Sequence, residues 1–221
     1  MWLYQNQISD LGPLGSLTNL VKLELIDNQI SDLGPLKSLT NLNEIHLRNN
    51  QISDLGPLMS LSNIHILDLR NNKIVRINPL KSPYLSKLYL SDNQISDIGP
   101  LGSLTNLVEL ELSNNKISDI SRLGSLARLV RVQLDNNQIS DISQLASVTN
   151  LGDRLILHNN QIVDISPLAS LTQLETITLH NNQIVDISPL RYLTKLQDVS
   201  LMNNLITNKS CPLEHESICR F

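Results

Sequence analysis

The apolar residues of this chain recur with one spacing from end to end. Leu20, Leu23, Leu25, Ile30, Leu33, Leu36 and Leu39, with Asn28 among them, give the frame L-x-x-L-x-L-x-x-N-x-I-x-x-L-x-x-L-x-x-L. This is neither the 3.6-residue period of an amphipathic helix nor a sustained alternation. Only the L-x-L step, as in Leu110 and Leu112, alternates. That step predicts a short strand with its leucines turned inward and the residues around them turned out. Asn6, Asn28, Asn50, Asn72, Asn93, Asn115, Asn137, Asn160, Asn182 and Asn204 mark successive copies. They are 22 residues apart, except for 21 between Asn72 and Asn93 and 23 between Asn137 and Asn160. A fixed period of this length is the mark of stacked units that bury a shared core.

The frame predicts an α/β fold, a right-handed leucine-rich-repeat solenoid. Its curved parallel β-sheet lines the concave face, and short 3₁₀ or irregular turns line the convex face, because 22 residues leave no room for a full helix. Ten repeats are expected over residues 1–206, the first incomplete because Met1 stands where its second frame leucine belongs, and a C-terminal capping segment over 207–221. The recurrent Asn is assigned to the turn after each strand, where its amide can serve backbone groups of its own and the adjoining unit. These residues form a structural ladder, and Asn137→Ala should cost about 1–3 kcal/mol. Asp10, Asp32, Asp54, Asp97, Asp119, Asp141, Asp164 and Asp186 share one position just before Gly-Pro or Ser-Pro pairs and their variants. They are read as caps of the convex turns, against the alternative of an acidic ribbon for a cation or a basic partner.

The string from Asn28 to Leu42, Asn-Gln-Ile-Ser-Asp-Leu-Gly-Pro-Leu-Lys-Ser-Leu-Thr-Asn-Leu, resembles the 22-residue repeats of the bacterial internalin-like, SDS22-like class, and the likeness runs over residues 1–204. The resemblance implies a recognition scaffold that holds a protein partner in its concave face, often at a bacterial surface. The tail from Cys211 to Phe221 resembles the closing segment of cyanobacterial proteins of this type. The chain departs from the internalin pattern at both ends, showing neither a helical amino-terminal cap nor a downstream immunoglobulin-like or anchoring segment. Host-cell invasion is therefore not carried over.

With the frame inward, the outward rows follow from the strand alternation. One row runs from Trp2 through Glu24, His46, Asp68, Tyr89, Glu111, Gln133, Ile156 and Thr178 to Ser200. A second runs from Tyr4 through Ile26, Arg48, Arg70, Ser91, Ser113, Asp135, His158 and His180 to Met202. A third runs from Lys22 through Glu44, Ile66, Lys87, Glu109, Arg131, Arg154 and Thr176 to Asp198. The rows vary while the frame does not, as expected of a scaffold with a customised surface. Trp2, Tyr4, Ile26, His46, Arg48, Ile66, Asp68, Arg70 and Tyr89 are the expected partner-binding residues, since aromatics and Arg are the usual anchors. The alternative for Trp2 and Tyr4 is that they cover the open end of the stack. His158 and His180 stand at equivalent positions, but with no third ligand evident no metal site is assigned.

The short and long units have separate origins. One residue is missing at Lys81-Ser82-Pro83-Tyr84-Leu85, and one is added at Leu151-Gly152-Asp153-Arg154-Leu155, where Gly152 suits a bulge. A net charge of −4, without a Lys/Arg-rich run, argues against nucleic acid. No apolar stretch spans a bilayer, and Met1–Asn6 is not a signal peptide. The chain reads as soluble, and its compartment is left open between the cytoplasm and, should the amino terminus be truncated, the cell surface or secretion. Self-association through the uncapped first repeat is a further expectation. Cys211 and Cys219 bracket a lid formed by Leu213, Ile218 and Phe221, and a disulfide between them is preferred to buried free thiols. No catalytic motif or cofactor site is recognised, so no enzyme is expected. The function read here is a protein-binding scaffold, the alternative a regulatory subunit of an enzyme such as a phosphatase, or a structural spacer.

Overall fold

In the computed structural model, which describes residues 1–77, Leu80 and 82–221, the strands form one parallel sheet. They are β1 (Lys22–Glu24), β2 (Glu44–His46), β3 (Ile66–Asp68), β4 (Lys87–Tyr89), β5 (Glu109–Glu111), β6 (Arg131–Gln133), β7 (Arg154–Ile156), β8 (Thr176–Thr178), β9 (Asp198–Ser200) and β10 (Cys219–Arg220). They pair in chain order, which is what stacking identical coils requires. The first unit contributes only a bridge from Trp2 to Glu24, and β10 comes from the tail, in register with β9. Among the described residues, every return path from β1 to β9 except that between β3 and β4 crosses the convex side in a short 3₁₀ turn, for example Gly34–Ser38 or Ser166–Ser170. The first of these turns is Gly12–Leu14, and the solenoid is the one the frame predicts.

The core is a continuous spine of Leu, Ile and Val. From Leu23 to Leu201 the strand leucines and their equivalents are at most 1% exposed. Two further devices fix each coil. The eight Asp residues each accept the backbone N–H two residues on, at 2.7–2.8 Å, and so tie the entry to each convex turn. The recurrent Asn reaches between coils. Asn115 Nδ2 donates to Leu90 O, Leu112 O and Ser113 O at 3.0–3.2 Å, and its Oδ1 accepts from Ile95 N at 2.9 Å. The same set recurs from Asn28 to Asn204, the amides lying at the core boundary.

Beside this ladder stands a second that the frame does not reveal. Gln5, Asp27, Asn49, Asn71, Asp92, Asn114, Asn136, Asn159, Asn181 and Asn203, each one residue before a ladder Asn, all have φ between 51° and 59°. Asn and Asp tolerate this left-handed region best among side chains other than glycine. The turn lets the chain leave the strand sharply. Their amides also join neighbouring coils, as in Asn203 to Asn181 at 2.7 Å and Asn71 to Asn49 at 2.8 Å. An Asn-Asn or Asp-Asn pair in every unit but the first was the available signal.

The irregular units differ in kind. Where the chain is one residue short, Ser82 takes the position of a frame leucine, three before Leu85. It is 4% exposed and donates to Ser62 O and Ile64 O. Lys81, named in the sequence reading of this unit, lies outside the described residues. Where the chain is one residue long, Glu175 and Thr176 bond separately to Gly152 O and Asp153 O. In regular units the paired N–H groups share one carbonyl, as Val130 and Arg131 share Val108 O. Gly152 absorbs the extra residue without a positive φ.

Candidate functional site

The strand register sets the outward rows side by side. Lys22, Glu44, Ile66, Lys87, Glu109, Arg131, Arg154, Thr176 and Asp198 follow one another across the sheet, and the row from Glu24 to Ser200 runs parallel to them. Neighbouring strands lie about 4.8 Å apart, so side chains on adjacent units touch while Trp2 and Tyr89 are roughly 19 Å apart along the sheet.

The structure places the nine predicted contact residues in unlike settings. Trp2 and Tyr4 are 73% and 53% exposed at the edge beside β1. Arg48 is exposed on the sheet, and Ile26, His46, Ile66, Arg70 and Tyr89 are half-buried. Asp68 is the exception at 2% exposure, and its carboxylate is spent on Arg70. Arg70 Nε and Nη2 donate to its two oxygens at 2.9 and 2.6 Å, a bidentate fork. The same guanidinium reaches Glu111 at 3.3 Å and lies 5.0 Å from the centre of the Tyr89 ring. Tyr89 donates its hydroxyl to Glu109 at 2.8 Å, and Lys87 bonds the other oxygen at 2.9 Å. Toward the amino-terminal edge, Lys22 pairs with Glu24 and Glu44, Glu44 meets His46 at 2.7 Å, and His46 lies 3.9 Å from Asp68. On the other side Arg131 bonds Asp153 and approaches Glu109 at 3.5 Å.

The ionisations follow from these contacts. Burial pushes the Asp68 carboxyl up, but His46 and the Arg70 guanidinium outweigh it and hold the group at about 2. His46 is raised by Asp68 against the opposing effect of burial, with Glu44 adding to the rise. Glu111 moves the other way: burial raises it, and Arg70 does not fully offset burial and the nearby Asp68 and Glu109. The Tyr89 hydroxyl is raised by burial and by its bond to Glu109.

The far half of the face is plainer. Ile156, Thr176, Thr178 and Ser200 replace the charged residues of the near half, and the His158 and His180 rings stack at 4.3 Å. Their Nδ1 atoms share hydrogen bonds with Thr178 and Ser200, and His158 Nε2 lies 3.5 Å from Asp135. Burial and the neighbouring His158 lower the His180 pKa. Beyond β9 the tail folds back so that Leu201 N donates to Arg220 O, and Cys211 and Cys219 are joined by a disulfide.

Comparison with known proteins bears on this architecture. A family model described as "Leucine Rich repeats (2 copies)" matches residues 1–39, 40–82, 85–125, 105–147, 153–192 and 172–214. A search of curated protein sequences finds no match. Among solved structures, an internalin (inlF) of Listeria monocytogenes is 38% identical with a TM-score of 0.89, over 94% of this chain and 61% of that one. The chain thus spans about three fifths of that protein's structure. Internalin C2 (inlC2) of the same organism is 35% identical with a TM-score of 0.67, over 91% of this chain and 79% of the other. The ectodomain of the plant membrane receptor kinase GASSHO1/SCHENGEN3 from Arabidopsis thaliana was solved with CASPARIAN STRIP INTEGRITY FACTOR 2. It shares the fold at 23% identity and a TM-score of 0.74, over 90% of this chain and 29% of its own. The cyanobacterial likeness of the tail gains nothing from these matches. Repeat frame, ordered parallel sheet, family model and identity to solved structures agree, and the chain belongs to the leucine-rich-repeat family, in its bacterial internalin-like class.

Proposed function

We propose that this chain is a non-catalytic scaffold that recognises a protein partner on its concave sheet. One observation carries the reading: from Leu23 to Leu201 the inward frame is Leu, Ile or Val at all but one position and buried, whereas the outward rows change residue at most units and carry aromatic, Arg and carboxylate side chains. The plant ectodomain, whose structure contains a bound factor, supports protein binding as a use of this fold. No helix among the described residues is long and apolar enough to cross a membrane. We assign the contact to Trp2, Tyr4, Ile26, His46, Arg48, Ile66, Arg70 and Tyr89, with Asp68 holding Arg70 in place.

Affinity capture compares the native chain with a concave variant, Tyr89→Ala with Arg48→Ala, and a convex variant, Asp119→Asn with Asp141→Asn. Loss of the same captured protein from the concave variant alone is expected. Loss from the convex variant alone would overturn the reading. Capture of a single enzyme through the concave face would favour a regulatory subunit, and capture of only the chain itself would leave a spacer.

A further inference from the structure

Given the concave face as the binding surface, its residual charge points to the kind of partner. Every carboxylate in the three outward rows has an internal partner. Glu24 and Glu44 take Lys22, Asp68 and Glu111 take Arg70, Glu109 takes Lys87, and Asp198 takes Arg220. Asp135, 8% exposed, lies against His158 and accepts from Ser113 and Asn136. The cations are not all used. Among the described residues, Arg48 on the strand-edge row beside β2 and Arg154 in β7 make no ion pair and no side-chain hydrogen bond, and both are exposed. Both line the same trough along the sheet. The rim carboxylates Asp27 and Asp92 follow the strands and are held by amides of Asn49 and Asn114.

The chain carries a net charge of −4, which by itself would favour a basic partner. The concave rows depart from that expectation in their contacts: each carboxylate is engaged within the sheet, and the charged groups left without a contact are two guanidiniums. We infer that the partner is a protein segment presenting carboxylates to Arg48 and Arg154. Guanidinium favours planar carboxylates in bidentate pairs, and two isolated cations fall short of the basic stripe that a nucleic-acid backbone requires. The two residues are five strand steps apart, roughly 24 Å along the sheet at about 4.8 Å per step. Their rows are also four residues apart along the strands, about 13 Å, so the direct span is about 27 Å, and an extended segment of about seven residues bridges it with the added reach of the two arginine side chains.

The test is an NMR titration of the full chain, reading the Arg side-chain signals. The probe is a Gly/Ser peptide of extended length with two glutamates seven residues apart. Controls are the same peptide with two lysines, one with the glutamates two residues apart, and a pyrimidine oligonucleotide. The seven-spaced acidic peptide is expected to bind tightest and to shift Arg48 and Arg154. Each of R48E and R154E should weaken it about fivefold, the effect of one exposed ion pair. R48Q and R154Q, which keep the length of the side chain nearly intact, should weaken it less. Tighter binding of the lysine peptide or oligonucleotide, equal binding of both acidic spacings, or no shift of the Arg48 and Arg154 signals up to about 50 millimolar peptide would overturn the inference. Lysine-peptide shifts confined to the concave rows would leave the scaffold reading standing, whereas shifts confined to the convex Asp positions would sink that reading too.

Discussion

Two ladders of asparagine run side by side along this solenoid, and they show how one residue type serves two physical purposes. In the inner ladder, Asn115 is 9% exposed and its amide satisfies four backbone groups drawn from three places in the chain. In the outer ladder, its neighbour Asn114 gives one side-chain bond, to Asp92 at 2.8 Å, and is retained for its φ of 54°. The inner position selects Asn for its hydrogen-bonding groups, the outer for its tolerance of a left-handed backbone. Asp is therefore allowed at the outer position, at Asp27 and Asp92, and never at the inner one, where a carboxylate could not donate to the carbonyls.

The comparison is open to attack at several strengths. Asn115→Ala should cost about 3 kcal/mol in urea unfolding, because several buried backbone groups lose their partner at once. A loss under 1 kcal/mol would mean that water or a shifted backbone replaces the amide. A charged contact offers the next contrast, since amides do not titrate. The Asp68 carboxyl, held at about 2 against an ordinary 3.8, contributes stability that is complete above about pH 4 and disappears as the pH falls through its folded value. The native chain should thus exceed Asp68→Asn by about 2 kcal/mol at neutral pH, and the gap should narrow at acid pH. A gap constant from pH 7 to 2.5 would disprove the ionic origin. In the outer ladder, Asn114→Val should cost about 1–2 kcal/mol through its backbone conformation alone. Asn114→Gly should change stability by less than about 0.5 kcal/mol, as strain is absent while chain entropy rises. Equal thermal shifts for Val and Gly would remove the conformational argument for that row.

Periodicity made most of the fold legible, because a frame repeated ten times fixes which side chains point in and which point out. The inner Asn row, the Asp rows and the strand register could all be read that way. The outer ladder was legible too, in the Asn-Asn and Asp-Asn pairs, but only to a reader asking where the backbone must turn. Ser82 was hidden by the missing residue, which shifts it onto a frame position that spacing alone assigns to no one. The site was the least legible part. Outward-facing strand positions put Asp68 and Arg48 alike among the expected contacts, yet one is buried beneath its neighbour's guanidinium and the other is exposed without an ion pair. Which carboxylate claims which cation depends on side-chain geometry across three or four strands, and a one-dimensional pattern does not carry it.

Arg70 shows what such internal pairing does for encounter. Its guanidinium is clamped by Asp68, touched by Glu111 and stacked on Tyr89, so its long side chain is immobilised while the solenoid stands alone. The side-chain freedom a flexible arginine surrenders on docking, about 0.5–1.5 kcal/mol, has here already been surrendered during folding. On the proposed reading of the concave face, a protein docking at that point would meet a rigid, flat cation that needs no further ordering.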